Sequence, residues 1–418
     1  MNYIESEKYM IEAGVRGSIM GLTRMKMLCD ILGNVENNLK FIHIAGTNGK
    51  GSTAAFISSI LSTKGYKVGM YTSPALTGMK DHYRINGELI SDEDYAKMVS
   101  ILSEANDSLK DRCGEEATQF ELETALSFLY FSNNNCDVVV METGLGGLED
   151  ATNVVSNKLL CVFTSISFDH MAYLGNTLSE IATVKAGIIT EPCEVVAFNS
   201  ADEVIDVITR KCEDVGANLT VVNSCDDDYF IDNGIVLSLK GAYQRDNACV
   251  AITVARQLCK LGFDITENDI KLGLANAKWE YRYERICESP KVYVDGAHNE
   301  DAARRLLESV KEDFADYRII LVIGMFKDKE YEKVIGMLAP KATVIYTLTT
   351  PNNARALDKE IIKSVASRYC ENVYSCDDVK EAAFRAMSSC IGYDNSVVIA
   401  FGSLSYLSLF KSAVLDND

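Results

Sequence analysis

The chain has 418 residues, of which 47% are hydrophobic and 24% are charged, the balance of a folded protein rather than a disordered one. Because this length exceeds what one ordinary hydrophobic core can organise, we predict two domains. Lys and Arg total 41 against 60 Asp and Glu, and the net charge of −19 excludes a surface that attracts nucleic acid or acidic lipid by its overall field.

The first residues and the cysteines favour a cytoplasmic protein. The segment MNYIESEKYMIEAG has acidic side chains early and lacks the basic-then-apolar order of a signal peptide. No stretch approaches the roughly 20 uninterrupted apolar residues that a membrane span requires. The 13 cysteines form no C-x-x-C pair, and single cysteines such as Cys249 are expected to be buried as small hydrophobic residues. We therefore predict no nucleic-acid or membrane partner, and we expect a monomer.

Short apolar runs alternate with longer amphipathic stretches along the first two thirds of the chain. The predicted strands are FIHIA (41–45), VGMYTS (68–73), DVVVMET (137–143) and LLCVFTSI (159–166). Helices are predicted for STAAFISSILSTKG, which ends at Gly65 in a C-terminal capping position, and for FELETALSFLYF. Runs that are apolar at every position are typical of parallel strands covered by helices on both faces.

The last third of the chain repeats this alternation. The strands predicted there are KVYVDG, RIILVIG, ATVIYTL, NVYS and SVVIAFG, separated by helical segments such as EDAARRLLESVKEDF. Two α/β units with parallel sheets follow from the pattern. We place their boundary near residues 284–290, where polar residues and Pro290 precede a new strand, so the predicted domains are 1–286 and 287–418.

The segment FIHIAGTNGKGS (41–52) predicts a nucleotide-phosphate site. A buried strand leads into a glycine-rich turn and then into a helix expected to begin near Ser52, so that backbone N–H groups converge at a helix N-terminus. An ordinary glycine-rich turn would explain the glycines alone. The lysine and hydroxyls at the helix entrance favour a phosphate site, although the spacing is shorter than in G-x-x-x-x-G-K-[ST]. The predicted binding residues are Asn48, Gly49, Lys50, Gly51 and Ser52, with Thr53 as an alternative hydroxyl.

Polar side chains at the ends of other strands predict a magnesium site. Glu142 ends one strand, Ser73 follows another, and Asp169 and His170 follow a third. Because ligands bind at the C-terminal edge of such sheets and Mg²⁺ prefers oxygen ligands, these residues are candidate metal ligands. Simpler interpretations also exist. An Asp-His pair after a strand often caps a turn. Lys185, which lies in a later helix, could be a solvated lysine.

The ordered motifs of the chain resemble those of the folylpolyglutamate synthase and dihydrofolate synthase family of the Mur ligase superfamily. The resemblance extends from GLTRM (21–25) to FGSL (401–404) and rests on HIAGTNGKGS, YTSP, METGLGG-x-x-DATN, SFDHMAYLG, VKAGII, YQRDNA and YVDGAHN. It implies an N-terminal P-loop-type ATP-binding domain of the central Mur ligase type with a mostly parallel sheet. A smaller C-terminal Rossmann-like α/β domain would follow, and catalysis would require the two domains to close.

The resemblance also implies a role for each matching residue. Lys50 would hold the ATP phosphates, Ser73 and Glu142 would bind one Mg²⁺, and His170 a second. Lys185, in the family's K-A-G motif, would be carbamylated by CO₂ and so supply an oxygen ligand. The residues matching the remaining ATP contacts are Asn247, Arg282 and Asp295. The residues matching substrate contacts are Phe120, as a stacking partner for the pterin, and His298, which could seat the amino acid or simply enter a helix.

The activity implied is an ATP-dependent amide ligation through an acyl phosphate. L-Glutamate would be added to a folate-type carboxylate, by polyglutamylation of tetrahydrofolate, by conversion of dihydropteroate to dihydrofolate, or by both reactions. The motifs do not discriminate between these reactions. The catalytic residues would be Lys50, Lys185 and His170.

Several loops depart from the family pattern. Ala75 stands where relatives often have histidine, Asp81-His82-Tyr83 replaces Glu-Arg-Ile, and Leu148 replaces an arginine. The family's W-P-G-R becomes Trp279-Glu-Tyr-Arg282. Two explanations of these departures stay open: ordinary loop variation in a folate enzyme, and the same ligase chemistry on a non-folate acid. A nucleotide-binding protein without catalysis is a further alternative, against which the intact Lys50, Glu142, His170 and Lys185 argue.

Overall fold

The computed structural model describes residues 1–17, 19–75 and 77–416, and it divides into two compact units that each contain one sheet. The first unit comprises residues 1–238 and 245–278, and the second comprises 239–244 and the chain from 279 onward. The prediction of two α/β units with mostly parallel sheets is confirmed. The domain limits 1–286 and 287–418 stay a prediction.

The first unit is built on an eight-stranded sheet with the order β4-β3-β2-β5-β1-β6-β7-β8. All neighbouring strands pair in parallel except β2 with β3 and β3 with β4. The central β1 and β5 are buried at every position, as expected for strands covered on both faces. The strands are β1 (Phe41–Ala45), β2 (Val68–Tyr71), β3 (Tyr83–Ile85), β4 (Glu88–Leu89), β5 (Val138–Glu142), β6 (Lys158–Phe163), β7 (Glu194–Phe198) and β8 (Asn218–Val222).

Several helices of the first unit begin at a polar residue whose side chain caps the first turn. Thr118 and Thr177 form reciprocal capping boxes with a glutamate three residues later, which fixes the first turn of the two helices that flank the site described below. The helices are α1 (Tyr3–Ala13), α2 (Thr23–Ile31), α3 (Lys50–Lys64), α4 (Asp92–Cys113), α5 (Gln119–Asn133), α6 (Met171–Leu174), α7 (Leu178–Ala186), α8 (Asp202–Val215), α9 (Asp227–Asp232), α10 (Gln244–Lys260) and α11 (Glu267–Asn276).

The second unit is built on a six-stranded sheet with the order β13-β12-β11-β14-β10-β9, in which only β9 is antiparallel to its neighbour. Its core includes Leu306 of α12, Leu321 of β11, and Val397 and Ile399 of β14, all fully or nearly fully buried. The strands are β9 (Glu284–Cys287), β10 (Lys291–Asp295), β11 (Arg318–Ile323), β12 (Val344–Thr347), β13 (Val373–Ser375) and β14 (Ser396–Phe401). The helices are α12 (Glu300–Asp313), α13 (Tyr331–Leu338), α14 (Lys359–Ala366), α15 (Val379–Ser388) and α16 (Leu404–Leu415).

The helix expected to begin near Ser52 begins two residues earlier, at Lys50, because Gly49 adopts the left-handed conformation at its N-cap. One local expectation was wrong. Cys249, expected to be a single buried cysteine, is disulfide-bonded to Cys225, which lies 24 residues earlier in the loop after β8. Within the described chain, no helix is long and apolar enough to cross a membrane.

Candidate active site

The glycine-rich loop between β1 and α3 is fixed by close packing and by backbone hydrogen bonds. Gly49 has φ +87°, and a Cβ there would lie 2.3 Å from Oδ1 of Asn247 on α10. A Cβ on Gly46 would lie 1.9 Å from Oγ1 of Thr164. The N–H groups of Thr47 and Asn48 both donate to the carbonyl of Ser165, at 2.7 and 3.3 Å. The loop therefore has room only for glycine at two points, as expected where backbone must approach a phosphate.

Lys50 and Glu142 meet over this loop. The Nζ of Lys50 lies 3.7 Å from Oε1 of Glu142 and donates to the carbonyls of Gly46 and Thr47 at 3.2 and 3.3 Å. Glu142 ends β5, the neighbour of β1, and is only 5% exposed. The first turn of α3 also buries Thr53, whose Oγ1 has no hydrogen-bond partner among the described residues. A partly buried cation, a carboxylate and an unsatisfied hydroxyl are the groups that a magnesium-bound phosphate would engage.

Lys185 lies against the same loop, so its interpretation as a solvated helix lysine is wrong. Its Nζ donates to the carbonyl of Gly46 at 2.7 Å and the residue is 4% exposed. Burial, followed by the charge of Lys50, lowers the pKa of Lys185 to about 7, while Asp169 and Asp150 oppose the shift. A substantial fraction of this amine is therefore neutral near pH 7, which is the state that can attack CO₂.

The helix that contains Lys185 is held in place by the G-G pair of the METGLGG motif. A Cβ on Gly147 would lie 2.7 Å from the Lys185 carbonyl, and the Leu148 N–H donates to the Val184 carbonyl at 2.9 Å. The buried Asp150 closes this loop by accepting from the Leu145 N–H at 2.7 Å. The glycines thus let α7 approach the end of β5 closely enough for its lysine to reach the phosphate loop.

His170 lies at the N-cap of the short α6 with φ +49°, and its ring is 41% exposed. Its Nε2 lies 3.9 Å from Oδ2 of Asp169, whose other oxygen accepts from the His170 N–H at 2.8 Å. Asp169 also acts electrostatically on Lys185, which connects this turn to the phosphate loop. The described residues contain no cluster of three or more His, Cys, Asp or Glu side chains that could hold a metal. The predicted ligand set, with a hydroxyl and a modified lysine, is of another kind and stays a prediction.

Ser73, predicted to bind metal, follows β2, and Phe120, predicted to contact substrate, lies in α5. Ser73 comes two residues after the end of β2, the strand next to β5 in the sheet. Phe120 lies in the first turn of α5, and a Cβ on Gly144 would be 2.4 Å from Cζ of its ring. The Phe120 ring therefore packs on the loop that follows Glu142. A stacking role toward a pterin stays a prediction.

In the second unit, the end of β10 forms another polar site. Asp295 is 3% exposed and accepts from the Tyr243 hydroxyl at 2.6 Å and from the N–H groups of Tyr283 and Ala297, each at 2.8 Å. Burial raises the pKa of Asp295, against the lowering effect of these bonds and of Arg282. The guanidinium of Arg282 lies so close over Gly296 that a Cβ there would be 2.0 Å from Nη1.

His298 and Tyr243 also lie at this second site. The His298 Nδ1 lies 2.9 Å from the Gly296 carbonyl, just before α12, whose N-cap is Asn299. Sequence reasoning did not single out Tyr243, although it begins the YQRDNA motif in which Asn247 was predicted. Its pairing with Asp295 crosses 52 residues of sequence, so only the shared family motifs could have suggested it.

The sequence matches two described domain families. Residues 44–244 match the Mur ligase middle domain, and residues 281–404 match the Mur ligase glutamate ligase domain. A dihydrofolate synthase/folylpolyglutamate synthase of Bacillus subtilis is 37% identical over 410 residues, 93% of each chain. A dihydrofolate synthetase of Saccharomyces cerevisiae is 36% identical and covers 81% of this chain and 83% of its own.

Solved structures of similar proteins share the whole fold. Mycobacterium tuberculosis folylpolyglutamate synthase, solved with ADP and AMPPCP, superposes with a TM-score of 0.87 at 25% identity, over 100% of this chain and 98% of that one. The E. coli FolC structure with DHPP and ADP gives 0.86 at 27% identity, over 100% and 97%. The predicted architecture, a P-loop-type ligase domain followed by a Rossmann-like domain, is confirmed.

Proposed function

Because the chain belongs to the folylpolyglutamate and dihydrofolate synthase family of Mur ligases, we propose that it is an ATP-dependent ligase joining L-glutamate to a folate-type carboxylate. The relatives include proteins named for each reaction and for both. We propose that this chain accepts dihydropteroate and tetrahydrofolate alike, which is supported by its similarity to the Bacillus subtilis relative, whose name gives both a dihydrofolate synthase and a folylpolyglutamate synthase. A cytoplasmic monomer without macromolecular partners is part of the same proposal.

The observation that supports this function most directly is the meeting of two lysines on one loop carbonyl. Lys50 and Lys185 both donate to the carbonyl of Gly46, and Glu142 lies beside Lys50. Phosphoryl transfer needs charge to be neutralised around the transferring group, and a carboxylate near it can hold magnesium. A protonated lysine would serve a simple phosphate site equally well. The lowered pKa of the buried Lys185 amine therefore exceeds what such a site requires.

We propose that Lys185 is carbamylated. Its neutral amine attacks the carbon of CO₂, an N–C bond forms, and one proton is released to solvent, leaving a carboxylate-like group in place of a cation. Ser73, Glu142, His170 and the modified Lys185 would then offer oxygen and nitrogen ligands for two magnesium ions. When bound, those ions would neutralise charge on the phosphoryl group in transfer.

The chain's own residues account for the remaining steps. Lys50 and the loop N–H groups bind the ATP phosphates, and Asn247 lies against Gly49 on the side of α10. The substrate carboxylate takes the γ-phosphoryl group, giving an acyl phosphate and ADP. The glutamate amine then attacks the acyl carbon, phosphate leaves, and the amine loses a proton as the amide forms. Arg282, Asp295 and His298 in the second unit would bind nucleotide or glutamate.

The test measures phosphate release with ATP, Mg²⁺ and L-glutamate, in the presence of dihydropteroate, of tetrahydrofolate, or of neither. We expect release only with a pterin acceptor, together with a product whose mass has grown by one glutamyl residue. Lys50→Met should abolish release, whereas Lys64→Met, which removes a lysine from the other end of α3, should not. Absence of stimulation by both pterins would falsify the folate assignment.

A further inference from the structure

Thr72, the residue just before Ser73, is held by His82 through two hydrogen bonds. The Thr72 N–H donates to the His82 carbonyl at 3.3 Å, and the Thr72 carbonyl lies 2.6 Å from Nδ1 of the His82 ring. Both residues are buried, with 4% and 3% of their surface exposed. The two peptide groups that flank the Cα of Thr72, the second of which leads into Ser73, are therefore each bonded to His82.

The other face of the imidazole is fixed by α5 and β2. Nε2 of His82 lies 3.6 Å from Oε2 of Glu123, whose Oε1 accepts from the Gln119 amide at 2.7 Å. The ring of Tyr71 stacks on the imidazole, with 5.8 Å between centroids and 26° between planes. Since a carbonyl can only accept, Nδ1 must be the protonated nitrogen that donates to Thr72.

We propose that His82 is a positioning residue for the magnesium site, acting through Thr72 on the hydroxyl of Ser73. The inference rests on the proposed function, in which Ser73 is a metal ligand. Residues that orient a metal ligand through a hydrogen bond typically change metal affinity when they are removed. His82 stands where the family pattern has arginine. The hydrogen bonds to the Y-T-S-P segment therefore depend on a residue at which this chain departs from that pattern.

The role of Glu123 follows from its place on α5. Its carboxylate lies beside Nε2 of His82, and the residue lies one helical turn from Phe120, the predicted stacking partner of the pterin. The same helix therefore bears the expected acceptor contact and packs against the histidine that holds Thr72.

Two substitutions separate the bond to Thr72 from the contact with Glu123. An asparagine at position 82 can present an amide N–H near the place of Nδ1, whereas a glutamine reaches the place of Nε2 and leaves the Thr72 carbonyl without its donor. The measured quantity is the Kd of Mg²⁺ for the protein saturated with AMPPCP, by calorimetry. We expect His82→Gln to raise the Kd of Mg²⁺ by about tenfold, as is typical when a hydrogen bond that orients a metal ligand is lost. His82→Asn should stay near the wild-type value.

Ser73→Ala, measured in parallel, distinguishes the two levels of the proposal. If Ser73→Ala leaves the Mg²⁺ affinity unchanged, the metal site of the proposed function is wrong. If Ser73→Ala weakens Mg²⁺ but His82→Gln and His82→Asn both bind it like the wild type, or weaken it equally, the positioning role of His82 is overturned and the proposed function stands.

A measurement on the unchanged protein covers the case in which a variant does not fold. The chain has only 4 histidines, so the ring nitrogens of His82 can be assigned by ¹⁵N NMR. We expect Nδ1 to be protonated and its proton to be slow to exchange. A bare Nδ1 with a proton only on Nε2 would overturn the inference without any substitution.

Discussion

Two buried lysines of the first unit, Lys158 and Lys185, lie in differently built surroundings. The ammonium of Lys158, on β6, donates to Oδ1 of Asn153, the carbonyl of Ile188 and Oγ1 of Thr190, at 2.9, 2.8 and 2.9 Å. Its three donors thus have three acceptors. The Lys185 ammonium has the Gly46 carbonyl at 2.7 Å and a second lysine near by.

The difference distinguishes a lysine whose charge is held by hydrogen bonds from one whose amine is more easily neutralised. Burial lowers the pKa of both lysines, but only Lys185 also has a neighbouring lysine that disfavours its charge. Lys158 gains enough hydrogen bonds to remain a structural cation between the end of α7 and β6. Lys185 is more easily neutralised, and a neutral amine is what reaction with CO₂ requires.

The largest expected effect is on ligation in Lys185→Ala. If the lysine supplies a carbamate, its loss should lower kcat by about 10³-fold, within the range seen when a group essential for phosphoryl transfer is removed. Acetate should restore part of the activity by filling the space of the missing carboxylate. Lys158→Met is the matched control and should keep most of its kcat at a temperature where it is folded. No rescue at high acetate would argue against the carbamate.

The second effect is on the free energy of unfolding. Here the substitution of Lys158 should have the larger effect and the substitution of Lys185 the smaller. Lys158→Met leaves two buried acceptors, Oδ1 of Asn153 and the carbonyl of Ile188, without their donor, so we expect it to destabilise the protein by about 3 kcal/mol. Lys185→Met removes a poorly solvated amine, and the Gly46 carbonyl keeps Lys50 as a donor, so we expect no loss or a small gain. Urea unfolding at pH 7 without ligands measures both. Equal destabilisation would remove the distinction between the two lysines.

The smallest effect is the pH dependence of the modification. The pKa of Lys185 is lowered to about 7, so its neutral fraction falls as the pH falls through 7. At a fixed low concentration of CO₂, kcat should therefore decrease by at least about tenfold between pH 8 and pH 6, and the proton released on carbamylation acts in the same direction. Lys185→Ala rescued by acetate should lack this decrease, because acetate stays ionised over that range. The same profile in both proteins would place the titrating group elsewhere.

Much of the fold followed from local pattern, while the contacts of the site did not. The buried runs that became β1, β5 and β14 were predicted, because runs of almost entirely apolar residues have few other places in a folded protein. The strands β3 and β4 were missed, since they are short and partly exposed and their pairing depends on neighbours. The cross-link of Cys225 with Cys249 was missed because spacing alone does not show which cysteines meet.

The candidate site shows the same limit at the scale of atoms. Lys50 and Lys185 were singled out from motifs, but their meeting on the Gly46 carbonyl joins positions up to 139 residues apart. His82 was noticed only as a departure from the family pattern, and its hold on Thr72 depends on a turn whose geometry the sequence does not display. Residue types were therefore predictable, and their partners were not.

The close approach of Gly147 to the Lys185 carbonyl also bears on how this enzyme could be redesigned. Saturation mutagenesis should find position 147 intolerant, because any side chain there pushes against the backbone of α7. Leu148, its immediate neighbour, is 51% exposed and packs only its inner side on Gly187, so it should accept a wider range of side chains than position 147. A library aimed at new carboxylic acids can thus vary one residue of this loop broadly while its neighbour keeps Lys185 in register.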